Sequence, residues 1–196
     1  RFVGSYLENG DHGIVVVDGG TFEHGILVGD AGAKACKVGD KVVIEMANFP
    51  SVHSPGEGVI VEVGSYRGRS TCALGTGSLA GHQAPVYAVE PHEVFTGIFG
   101  GEFGPKDRRA FYEAMLATGC WEVVRLINLS SEVVAAAWDK PIELLFIDGD
   151  HSYEGVKRDY EAWRPHLRPG ATVVFDDAFE EHGGPRLFIT DLVRRQ

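Results

Sequence analysis

Apolar positions along the chain follow two different rules. From residue 1 to about 58 they come in short runs, such as Gly13-Ile14-Val15-Val16-Val17 and Lys41-Val42-Val43-Ile44-Glu45-Met46, closed by Gly, Asp, Asn and Pro. Turn-forming groups recur at Asn9-Gly10-Asp11, Asp18-Gly19-Gly20 and Gly39-Asp40. No helical period appears there. About five short strands at this spacing predict a small all-β barrel.

From residue 59 onward, apolar runs alternate with amphipathic stretches. The runs are Val59-Ile60-Val61-Glu62-Val63, Val86-Tyr87-Ala88-Val89, Val123-Val124-Arg125-Leu126-Ile127, Leu144-Leu145-Phe146-Ile147 and Thr172-Val173-Val174-Phe175. Helices are predicted between them at Ser70–Leu79, Lys106–Thr118, Ser131–Trp138 and Ser152–Leu167. This β-α-β-α order predicts an α/β, Rossmann-like parallel sheet with helices on both faces. The joint falls at Ser54-Pro55-Gly56-Glu57-Gly58 and divides the chain into 1–58 and 59–196.

Composition narrows the functional classes. With 44% hydrophobic and 23% charged residues among 196, the chain is globular rather than disordered. No run approaches the roughly 20 apolar residues of a membrane span. A net charge of −10 argues against a large basic surface for nucleic acid. Cys36, Cys72 and Cys120 stand far apart, which fits neither a disulfide framework nor a zinc site and leads us to expect a reducing, cytoplasmic setting. Arg1 in place of a starting Met leads us to expect a processed or excised piece.

Candidate chemistry gathers at the predicted strand ends. Glu62-Val63-Gly64-Ser65-Tyr66-Arg67-Gly68 joins a buried strand to a helix. Its glycines permit a sharp bend and a close ligand approach, and the helix start offers free N–H groups. The spacing is G-x-x-x-G rather than the dinucleotide G-x-G-x-x-G, so no pyrophosphate cradle is indicated. Glu90 ends the next strand, where an acid can accept both ribose hydroxyls of an adenosine or simply be a solvated strand end. Turn and acid together favour a nucleoside ligand without phosphates, and S-adenosylmethionine fits. Ser130-Ser131-Glu132 follows the third strand, where an adenine edge would lie; it reads equally as a helix N-cap.

Phe146-Ile147-Asp148-Gly149-Asp150-His151 and Val174-Phe175-Asp176-Asp177 close the fourth and fifth strands. Adjacent parallel strands lie about 4.8 Å apart, so carboxylates at their tips converge and raise one another's pKa. A hard divalent cation such as Mg²⁺ removes that repulsion, with Asp148, Asp176 and Asp177 as ligands. Asp150 or His151 then remains as a base to deprotonate a metal-bound hydroxyl. The structural alternative is a turn at Asp148-Gly149-Asp150 and a helix cap at Asp176-Asp177.

VIVEVGSYRGRST, VYAVEPH, INLSSE, LLFIDGDHSYEGV and VVFDDAF resemble the class I S-adenosylmethionine-dependent methyltransferases over residues 59–179, in particular the group that includes macrocin-type sugar O-methyltransferases. That resemblance implies cofactor contacts at Glu62, Gly64, Ser65, Gly68 and Glu90, Mg²⁺ at Asp148, Asp176 and Asp177, and a base at Asp150. Such enzymes carry two further strands after the helix that follows VVFDDAF, whereas here the chain stops within that helix. A shortened five-stranded sheet with one open edge is therefore expected, and such an edge invites pairing into a homo-oligomer. RFVGSYLENGDHGIVVVDGG, KVGDKVVIEM and PGEGVIVEV resemble the cold-shock-like OB domain of the ribonuclease II/R family. Both resemblances claim Gly58–Val63, and the sheet is expected to keep it because the glycine turn must follow directly. The leading expectation is metal-dependent O-methyl transfer to a small hydroxylated molecule. The rivals are an RNA methyltransferase fed by the OB module and a non-catalytic chimera that keeps the cofactor pocket.

Overall fold

The computed structural model describes residues 58–97, 101–178 and 183–194, together with the strand Val15–Asp18. The proposed OB barrel of residues 1–58 otherwise lies outside the described residues. In chain order the strands are β1 (Val15–Asp18), β2 (Val59–Val63), β3 (Val86–Val89), β4 (Phe95–Thr96), β5 (Glu102–Phe103), β6 (Val124–Ile127), β7 (Ile142–Ile147) and β8 (Leu167–Phe175). The helices are α1 (Arg69–Ala80), α2 (Pro105–Thr118), α3 (Ser131–Ala136), α4 (Tyr153–Trp163) and α5 (Gly184–Arg194).

Six strands form one sheet in the order β1-β8-β7-β2-β3-β6. Strands β8, β7, β2, β3 and β6 run parallel. Val59–Val63 therefore belongs to the sheet, between β7 and β3, as the position of the glycine turn requires. The edge of β8 expected to be open is paired: Val15–Asp18 runs antiparallel along Thr172–Phe175.

Both sheet faces are covered, which is why the central strands read as unbroken apolar runs. On β2 and β7, Val59, Val61, Val63, Leu145 and Ile147 pack with Val134, Val156, Trp163, Phe188 and Ile189 from α3, α4 and α5. The alternate residues Ile60, Leu144 and Phe146 pack with Leu74, Phe111 and Met115 from α1 and α2. Glu62 faces this second side too, an acid placed by period-two alternation among apolar neighbours.

Two boundaries differ from the sequence expectation by more than two residues. The helix expected to reach Leu167 ends at Trp163, followed by one tight turn at Arg164–His166. Pro165 lacks the N–H that would continue the helix, and it disfavours helical geometry at Arg164. Strand β8 then begins early at Leu167. Its ladder with β7 is interrupted between Ile142 and Leu144, where Gly170 takes a φ of +79°.

Candidate functional site

The strand order reverses between β7 and β2, so the carboxyl-end crevice of the sheet opens there. Every site residue expected from the sequence, except Ser130, sits on the strands or tip loops of β2, β3, β7 and β8. Ser130 follows β6. Positive φ angles cluster in the same loops, at Tyr66 (+44°), His92 (+51°) and Asp177 (+48°). Non-glycine residues adopt this region at a cost that the surrounding contacts must offset.

The turn after β2 is fixed by Gly64 and Gly68. Gly64 donates to the Val89 carbonyl at 3.0 Å, and Asp148 donates to the Val63 carbonyl at 2.8 Å. A Cβ on Gly64 would lie 2.0 Å from the Asp148 carbonyl oxygen, at a φ of +88°. One on Gly68 would meet Phe111 and Met115 at 2.9 Å. Both glycines are thus required by the chain's own crossings, a more local reason than ligand approach. Arg67 is anchored to the start of α2 by Asp107, whose Oδ1 accepts from Nε at 2.7 Å.

Below the turn, Glu62 is fully buried and accepts the hydroxyl of Thr71. Burial pushes its carboxyl above the usual range, opposed chiefly by the neighbouring hydroxyls of Ser70 and Thr71. Among the described residues, Glu62 Oε1 and Ser65 Oγ are buried without a hydrogen-bond partner. Glu90, at the tip of β3, accepts the Tyr66 N–H on Oε2 at 3.1 Å and the His92 N–H on Oε1 at 2.9 Å. Each oxygen retains a free lone pair. Ser130 opens α3 in an extended conformation and makes no side-chain cap. Its neighbour Ser131, named with it in the sequence, is the engaged hydroxyl: its Oγ accepts the indole N–H of Trp163 at 2.8 Å.

The tips of β7 and β8 bring four titratable groups together. His151 lies between two carboxylates, with Nε2 3.1 Å from Asp148 Oδ1 and Nδ1 3.0 Å from Asp177 Oδ2. The carboxyl groups of Asp148 and Asp176 lie side by side across the two strand tips. Burial, reinforced by the charges of Asp148 and Asp177, pushes Asp176 up to about 8. Burial also raises Asp148, with His151 pulling the other way. For His151 burial disfavours the charged ring, but hydrogen bonds and charge from Asp148 and Asp177 outweigh it and push the imidazole up to about 10. Ligand atoms of Asp148, His151 and Asp176 all lie within 4.8 Å of one another. Asp177, expected as a third ligand, is turned onto His151. Asp150, expected as a base, accepts the Ser152 N–H at 3.1 Å and the Ser152 hydroxyl at 2.9 Å, so both its oxygens help to open α4.

A family model described as a methyltransferase domain matches residues 61–178. The chain belongs to the methyltransferase-domain family. The match runs from β2 to the loop after β8 and so contains the glycine turn, Glu90 and the acidic cluster. Among solved structures, this methyltransferase domain is similar to CalS11, a calicheamicin methyltransferase, with 18% identity and a TM-score of 0.55 over 69% of this chain and 63% of that one. It is also similar to the O-methyltransferase TomG from Streptomyces achromogenes, with 16% identity and a TM-score of 0.51 over 70% and 61%. An rRNA methylase from Streptococcus thermophilus gives 14% identity and a TM-score of 0.51 over 77% of each chain. At such identities the likeness is one of fold. A curated relative, the uncharacterized protein y4gI of Sinorhizobium fredii, is 46% identical over 46 residues, which are 23% of this chain and 5% of that protein. The chain therefore spans about a twentieth of that relative and just under two thirds of CalS11.

Three functional candidates escaped the sequence reading. His92 and Asn128 lie inside VYAVEPH and INLSSE but were assigned no role there, and Asp159 lies in none of the quoted motifs. For the first two, the sequence signal is a position just past a strand, three residues after β3 for His92 and one after β6 for Asn128.

Proposed function

We propose that this methyltransferase domain transfers a methyl group from S-adenosylmethionine to a hydroxyl oxygen of a small molecule, with a sugar as the favoured substrate class and a divalent cation of the Mg²⁺ type in the acidic cluster. The observation that carries the reading is the convergence of Asp148, His151, Asp176 and Asp177 beside the glycine turn, at the point where the strand order reverses.

The residues fit both groups. The unpartnered Glu62 Oε1 and Ser65 Oγ suit an ammonium, and the spare lone pairs of Glu90 suit two vicinal hydroxyls. Three crowded carboxylates, one of them pushed up to about 8, suit a hard cation that takes the place of a proton. When bound, S-adenosylmethionine supplies an electrophilic methyl and the cation acidifies a substrate hydroxyl. Asp148 and Asp176 would hold the cation, with Asp177 or His151 completing the protein ligands. His151, charged between two carboxylates, becomes a proton acceptor only when their charge is shared with a cation. Asp150 is the other candidate base and would first have to leave Ser152.

Fold likeness does not choose between a small molecule and RNA, because TomG and the rRNA methylase share a TM-score of 0.51. The net charge of −10 favours the small molecule. Calorimetric titration of S-adenosylmethionine, with and without Mg²⁺, tests the reading. The expected result is cofactor binding together with a separate Mg²⁺ isotherm that Asp148→Asn removes. Cofactor binding with no Mg²⁺ isotherm would defeat the metal-assisted mechanism, cofactor binding without turnover would favour the non-catalytic chimera, and no cofactor binding would overturn the S-adenosylmethionine reading itself.

A further inference from the structure

We infer that His92 is a positioning residue that clamps three strand-tip loops together and thereby sets the grip of Glu90 on a nucleoside. The affinity part rests on the nucleoside reading of the site given above.

His92 is 2% exposed and holds a φ of +51°, so its placement is enforced by contacts. Asn128, one residue past β6, donates its amide to the Glu90 carbonyl at 2.9 Å. That bond fixes the amide nitrogen, and the same nitrogen lies 3.0 Å from His92 Nδ1. Nδ1 must therefore accept, which leaves the ring proton on Nε2. Nε2–H donates to the Tyr66 carbonyl at 2.7 Å. The backbone N–H of His92 donates to Glu90 Oε1, and Tyr66 donates its N–H to Glu90 Oε2.

One imidazole thus joins the glycine turn after β2, the tip of β3 and the tip of β6. It also completes a closed circuit in which Tyr66 is held at both its N–H and its carbonyl. Outside the circuit, the ring packs edge-on to Phe111 at 6.1 Å, and Arg108 donates to the Pro91 carbonyl at 3.2 Å. No oxygen of Glu90 can turn away without breaking a backbone hydrogen bond to this circuit. A carboxylate so held meets a pair of hydroxyls without first losing side-chain freedom.

Two measurements test the clamp. S-adenosylhomocysteine, titrated calorimetrically, reads affinity without turnover. Amide hydrogen exchange at Tyr66, compared with Leu145 in the sheet core, reads the loop without any ligand. His92→Ala removes two partly buried hydrogen bonds and should weaken S-adenosylhomocysteine by about 30-fold. It should also speed exchange at Tyr66 while Leu145 stays protected. His92→Gln, whose amide can still donate to Tyr66, should recover affinity to within about 5-fold of the wild type. Were His92→Ala to lose protection at Leu145 as well, Asn128→Ala on the half-buried rim replaces it, with the same expected direction. Wild-type affinity and unchanged Tyr66 exchange in either Ala variant would overturn the inference. A wild type that binds no S-adenosylhomocysteine overturns the nucleoside reading and the affinity effect with it, while Tyr66 exchange still judges the clamp.

Discussion

Gly64 sits where β2 leaves the sheet and the Asp148 carbonyl crosses beneath it. A methyl group there would both demand a left-handed conformation and overlap a backbone oxygen at 2.0 Å, so neither side can yield cheaply. Gly64→Ala should cost at least about 3 kcal/mol, read as a lowered urea midpoint, and should weaken S-adenosylmethionine binding as a consequence. Asp148→Asn is a different kind of change. It keeps the shape of the cluster but removes one charge from both His151 and the candidate cation. Methyl transfer should fall below detection while the S-adenosylmethionine Kd stays within about threefold, because Asp148 is not part of the Glu62–Glu90 side of the crevice. The motif text FIDGDH and FDDAF already pointed to these acids. Their division of labour was not legible, since Asp150 and Asp148 are equivalent in sequence but only Asp148 faces His151.

Among the elements, α4 does most to shape the acidic end of the crevice. Ser152 caps it by accepting the Gly155 N–H at 3.0 Å, and Asp150 braces that cap. One turn further, Asp159 is 4% exposed, and Trp163 on the same helix donates its indole N–H to Ser131 at the start of α3. This chain of contacts ties α4 to the start of α3 directly behind Gly149, where an added Cβ would lie 2.9 Å from Asp159 Oδ2. Burial pushes the Asp159 carboxyl from 3.8 up to about 6. A carboxyl raised on folding favours the protonated native state. Its contribution is fully present below the unfolded value and is lost as pH rises through about 6, a swing of roughly 3 kcal/mol at most. Asp159→Asn should therefore stabilise the protein at pH 7.5, by up to that amount, and change little at pH 4. Urea midpoints at the two pH values check the sign. The sequence marks α4 by its amphipathic period, yet nothing in that period separates Asp159 from a surface acid. Only the folded packing behind Gly149 buries it.

For the whole molecule, the arrangement of charge matters more than its total. Among the described residues no helix is long and apolar enough to cross a membrane. Among the described residues, Asp148, Asp176 and Asp177 meet where two parallel strands end side by side. A cation bound only by the folded protein raises stability by mass action, and Mg²⁺ at 100 times its Kd adds about 2.7 kcal/mol. A thermal melt should then move up by about 5–10 °C, with no shift in Asp148→Asn. Single-stranded RNA should show no filter retention even at low salt, and clear retention would favour the RNA reading. The five parallel strands, their order along the chain and the acids at their tips were determined by the sequence alone, because burial on both faces imposes continuous apolar runs and glycine imposes the turn. Tertiary structure alone decided that Val15–Asp18 joins the sheet edge, that His151 bridges Asp148 and Asp177, and that His92 ties Tyr66, Glu90 and Asn128 together. Those pairings join residues remote in sequence, or turn on which way a side chain faces, and they exist only once the strands have been laid beside one another.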